Sequence, residues 1–123
     1  MEMLTPHEVL RLYEAVERTY GYDPILPRDS LLIELACARP RMKNYGDTLT
    51  EIAVFLEAMM NFRPFVAHNT ATAFACFHVL LGMNNLRLAA SPRLVQQAWL
   101  EWKTSPTDYQ KIHKWLQMAV EPI

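Results

Sequence analysis

Residues Asn61–Leu88 read NFRPFVAHNTATAFACFHVLLGMNNLRL, and the parsing of that run decides the fold. One helix ends at its start. A short loop, Arg63-Pro64-Phe65-Val66-Ala67-His68-Asn69, follows it. An apolar helix then runs from about Asn69 to Met83. Ala71, Ala73, Phe74, Ala75, Cys76, Phe77, Val79, Leu80 and Leu81 leave this helix apolar nearly all round, the pattern of a central, buried helix. Asn84 or Asn85 can adopt the left-handed conformation that ends it. A polar loop entering such a helix is a ready anion site. The first backbone N–H groups have no partner within the helix, and the dipole favours negative charge.

Upstream, Thr5-Pro6-His7-Glu8 marks a helix start, with Thr5 as cap, Pro6 at the first helical position and Glu8 completing a capping box. Val9, Leu10, Tyr13, Val16 and Tyr20 follow at helical spacing, and the helix stops before Gly21. Pro24 and Pro27 make the next stretch a loop. Asp29 caps a second helix with Leu31, Leu32, Leu35, Ala36 and Ala38 on its apolar face, ended by Arg39-Pro40. The polar stretch Arg41–Asp47 is a connection. A third helix starts at Thr48 or Thr50, with Thr48 and Glu51 as a second capping box. Downstream, Ser91-Pro92 opens a fifth helix and Thr107-x-x-Gln110 a sixth, carrying Trp99, Trp102, Tyr109 and Trp115. These tryptophans are core residues or, in part, an exposed patch for a partner. The expected architecture is all-α: a single domain over residues 1–123, a bundle of six helices around one buried helix.

The composition narrows the function classes. The 123 residues carry a net charge of −1, so there is no basic field for tracking nucleic acid. No apolar run approaches the roughly 20 residues of a membrane span. The N-terminal MEMLTPHE lacks the charged and apolar regions of a signal peptide. Cys37 and Cys76 lie within apolar periodic segments without paired spacing and read as free, buried thiols. The expected setting is the cytoplasm. His7, His68, His78 and His113 show no H-x-x-x-H spacing, and no metal site is expected. His78 reads as a core or boundary residue, and His7 and His113 as solvent-facing.

The loop and the helix after it resemble the Fic/Doc (Fido) family, and within it the death-on-curing (Doc) toxins. Pro64, Phe65, Asn69, Thr72 and Ala73 stand where that family's motif has them. The likeness extends along the chain: Leu4-Thr5-Pro6 opening a helix, Tyr20-Gly21, Asp29-x-Leu31-Leu32 through Ala38-Arg39-Pro40, Tyr45-Gly46 at the position of a flap, and Asn84-Asn85-Leu86 leaving the central helix. Two of these stretches depart from the pattern, Ser30 and Asn85 each replacing a glycine. The resemblance implies a Fido fold, a nucleotide-dependent transferase ancestry using ATP and Mg²⁺, and a groove beside the motif that accepts an antitoxin segment.

The chemistry that the resemblance implies is stripped. Arg63 stands in place of the family's general base, and a guanidinium keeps its proton and has no acceptor. Ala67 replaces the acidic position that would hold a metal. His68 replaces a small residue, and Thr70 and Ala71 replace the phosphate-gripping pair. No catalytic residue is therefore expected, with His68 kept as a candidate displaced base. Arg63, Asn69 and Thr70 are the nucleotide or anion-binding candidates. Against that, Arg63 can pair with an acid such as Glu57, and Asn69 can serve as a helix N-cap. The reading is a catalytically degenerate Doc-like domain that binds a protein partner, an antitoxin-like segment or regulatory protein, with no cofactor. The alternatives are an active phosphoryl or AMP transferase with a rearranged site, for which ATP and Mg²⁺ are the cofactors, and a structural subunit of a larger complex.

Overall fold

The computed structural model describes residues 1–123. It contains helices α1 (Pro6–Thr19), α2 (Ser30–Ala38), α3 (Thr48–Phe62), α4 (Asn69–Met83), α5 (Pro92–Thr104) and α6 (Tyr109–Ala119). A 3-10 turn, Arg39–Arg41, extends α2. Two three-residue strands, β1 (Leu86–Leu88) and β2 (Val120–Pro122), pair antiparallel with Arg87 opposite Glu121. The fold is all-α, and twenty-five buried side chains form one core cluster drawn from all six helices.

Several helix starts follow directly from local chemistry. Thr5 accepts from the Glu8 N–H, and the Glu8 carboxylate accepts from the Thr5 N–H. The Thr5 backbone N–H first, and the Thr5 hydroxyl second, hold the Glu8 carboxyl below the usual carboxylate range. Asp29 Oδ1 accepts from the Leu31 N–H, and Ser91 Oγ from the Leu94 N–H. Asn85 takes the left-handed conformation after α4, with φ 58°.

Two caps are aspartates in place of the expected threonines. Asp47, not Thr48 or Thr50, caps α3, its Oδ1 accepting from the Thr50 N–H at 2.7 Å. Asp108, not Thr107, caps α6, accepting from the Lys111 N–H. In both places an aspartate directly adjoins the threonine. A charged carboxylate is the stronger acceptor and also complements the helix dipole.

The central helix is α3 and not α4. Nine of the fifteen residues of α3 are buried, against seven of fifteen in α4. α4 leaves a strip of His78, Val79 and Gly82 open to solvent, so His78 is an exposed residue rather than a core one, set edge-on to Phe74. Apolar composition cannot separate the two helices, because alanines and a valine tolerate exposure and α4 carries many. The helix that contacts most neighbours is decided by the packing of α2, α4 and α6 around it.

The β1–β2 pair escapes a sequence reading. Three-residue runs carry almost no periodic signal, and the strands lie more than thirty residues apart. Their pairing draws Arg87 Nε to Glu121 Oε1 at 2.7 Å and returns the end of the chain to the exit of α4.

Candidate functional site

The loop between α3 and α4 is held from both ends. Arg63 is the left-handed residue that ends α3, with φ 48° and ψ 63°. Arg28 donates to the Phe62 and Arg63 carbonyls at 2.7 and 2.8 Å, placing a cation at the C-terminal end of α3 where the helix dipole favours it. The Asp29 N–H donates to the Pro64 carbonyl. The loop then turns inward. Phe65 is buried and stacks on Tyr13 of α1, ring centroids 4.0 Å apart and planes 4° from parallel.

Asn69 is the residue that makes this turn possible. Its Oδ1 accepts from the Phe65 N–H at 2.9 Å and its Nδ2 donates to the Phe65 carbonyl at 2.8 Å. One amide thus satisfies both backbone groups of a buried loop residue. Asn69 is the first residue of α4 and does not cap it. The cap position belongs to His68, whose side chain makes no cap bond. One N–H of the Asn69 amide and one acceptor position of its oxygen are thus engaged on Phe65.

His68 sits in the left-handed region, φ 58° and ψ 32°, a conformation uncommon for a residue with a Cβ. Its Nδ1 lies 2.6 Å from Oε1 of Glu17 on α1, and that glutamate is 5% exposed. Tyr20 stacks on the imidazole at 4.3 Å and 5°, and Tyr22 approaches it at 5.8 Å and 29°. The neighbouring Tyr13 hydroxyl is fully buried and makes no complete hydrogen bond within the protein. Burial first, and the Glu17 charge second, push its ionisation above the usual tyrosine range, against a smaller opposing influence from the Ile25 backbone. The Thr72 hydroxyl, one turn into α4, is also buried without a partner.

The four residues singled out by sequence therefore scatter in role. Asn69 faces the core. His68 pairs with Glu17. Arg63 is exposed and makes no ion pair. Glu57, the acid within reach in sequence, is taken by Arg39 at 3.5 Å and by the Tyr109 N–H at 2.7 Å. Thr70 lies in the first turn of α4. No three histidine, cysteine, aspartate or glutamate side chains converge as a metal site. His113, expected on a solvent face, is half-buried with Nε2 3.7 Å from Asp47 Oδ1. Cys37 and Cys76 are free and buried, and burial pushes both thiols up to about 12.

A groove of about 360 Å³ runs between α1 and α4 beside this loop. Leu12, Ala15, Val16 and Thr19 of α1 line it, with Tyr20 just past the helix end, and Ala71 and Ala75 line it from α4. Tyr20 belongs both to this groove and to the stack on His68. Exposed Tyr22, Ile25, Leu26 and Val66 occur in the two loops that flank the stack.

Sequence reasoning missed Glu17, Tyr22 and Arg28. A signal was present for Glu17: it falls four residues after Tyr13 and eight after Val9, on the buried face of α1. A charged residue on an apolar stripe needs a buried partner. No family model matches this chain, and no curated protein sequence matches it.

Proposed function

We propose that this chain is a Doc-like domain that has lost transferase chemistry and works by binding a segment of another protein along the α1–α4 groove. One observation carries the reading. Ala71, at the position where the resembled family grips phosphate, is a wall of an apolar groove. The loss of a cation there and the gain of an apolar surface are the same substitution. Tyr20, 55% exposed, extends that surface toward the loop. An amphipathic helix or extended segment binds such a groove through apolar anchors at helical or alternating spacing. A toxin–antitoxin or related regulatory setting belongs to this proposal through the resemblance.

The Glu17–His68 pair favours a second reading, a transferase with a rearranged site. A carboxylate on Nδ1 fixes the orientation of the ring and leaves Nε2 as the available atom for accepting a proton. Exposed Arg63 would bind the phosphate.

Calorimetry with ATP, GTP and AMP, with and without magnesium, separates the two. The binding-module reading expects no nucleotide heat, together with a protein partner captured by the native chain and lost in Ala75→Glu. Micromolar nucleotide binding (about −8 kcal/mol) that disappears in Arg63→Ala would overturn it in favour of the transferase.

A further inference from the structure

A second concavity lies between α5 and α6, with a volume of about 810 Å³. Aromatic contacts join α5 to α4 and α6. Trp99 stands edge-on to Phe74 at 4.9 Å and tilts against Phe77 at 5.6 Å. Trp102 packs on Trp99 at 5.2 Å and meets Trp115 of α6 edge-on at 5.3 Å. The α5 backbone nowhere runs closely along another helix.

We propose that this groove receives an amphipathic helix of a different protein, one that carries acidic residues beside its apolar stripe. Three features of the walls support that occupant. The floor is small and aromatic, formed by Ala98, Ala119, Trp102 and Trp115, while Leu94 and Met118 stand on the rims, 53% and 81% exposed. A helix about 10 Å across would fill this volume with roughly two turns. Charge then selects among helices. Lys111 and Lys114, three residues apart on one face of α6, line the groove and have no ion-pair partner. The one acid lining it is Glu101, on the opposite wall. Acidic residues are thus drawn to the α6 side, which also sets the rotation of the bound helix.

A second copy of this chain is a poor occupant. Each of its six helices already contributes buried side chains to the common core, so inserting one into the groove of another copy would strip it from that core. The proposal concerns other helices than the α1–α4 groove and stands whether or not the reading of that groove holds.

The test uses the full chain and two synthetic helical peptides with the same apolar stripe, one flanked by glutamates and the other by lysines. Tryptophan emission reports binding, since Trp102 and Trp115 line the groove. The glutamate peptide is expected to shift the emission saturably and to bind at least ~10-fold more tightly than the lysine peptide. The double variant Lys111→Glu/Lys114→Glu, altering two exposed side chains, reverses that order. Equal affinity for both peptides, no emission change with either, or an unchanged preference in the double variant overturns the proposal. So does concentration-dependent self-association that Met118→Asp abolishes, which would make the groove a contact between copies.

Discussion

Glu17 Oε1 and His68 Nδ1 lie 2.6 Å apart, and this contact joins the last turns of α1 to the entrance of α4. The glutamate is almost wholly buried, and a buried carboxylate needs a donor. The tyrosines stacked about the imidazole restrict its ring, so it presents Nδ1 to Glu17 with little freedom left to lose. Glu17→Ala removes the acceptor and leaves His68 in a left-handed conformation without its partner. The expected loss is about 1.5–3 kcal/mol, the range for a hydrogen bond to a charged group. Glu17→Gln retains one oxygen acceptor and is expected to lose less. Urea unfolding monitored by circular dichroism distinguishes them; equal midpoints for Glu17→Ala and the native chain would show that the contact contributes nothing.

Asn69 tests whether a polar residue at the entrance of α4 serves the fold. Asn69→Ala strands the N–H and carbonyl of buried Phe65 and is expected to cost about 3 kcal/mol. Asn69→Asp keeps an acceptor for the N–H but sets a carboxylate oxygen against the Phe65 carbonyl, so it should be nearly as damaging. A thermal midpoint unmoved by either substitution would remove the clamp from the account.

Asp47 gives the fold a pH dependence with a defined sign. Its carboxyl is held below the usual carboxylate range, first by the bond from the Thr50 N–H, with burial opposing and the Thr50 side chain and His113 adding smaller contributions. A carboxyl depressed in the folded state stabilises it above the unfolded value, about 3.9. That contribution is lost as pH falls through the folded value. Stability should therefore fall on acidification below about pH 4. Asp47→Asn keeps a capping oxygen and is expected to flatten this part of the profile, while Asp47→Ala costs about 1 kcal/mol at neutral pH. Denaturation midpoints from pH 2 to 7 decide it, and an unchanged acid slope in Asp47→Asn would assign the dependence to other carboxyls.

Local chemistry in the sequence determined most of the helices. Thr5, Asp29 and Ser91 cap where their side chains reach backbone N–H groups two or three residues on, and Asn85 bends left-handed as the α4 exit requires. These interactions span a few residues and need no knowledge of the rest of the chain. The interior of the site is different. Asn69, read as a cap or anion ligand, closes on Phe65 because burying that ring against Tyr13 takes its backbone out of water. His68 finds Glu17 fifty-one positions away, and Glu57 turns from Arg63 to Arg39 and the start of α6. The exchange of α4 for α3 as the central helix, the β1–β2 pair and the α5–α6 groove are of the same kind. Each depends on which faces meet when the helices pack, and composition along one segment carries no record of its neighbours in space. The sequence by itself thus set the elements, while tertiary structure alone decided their partners, because burial couples residues by distance in space rather than along the chain.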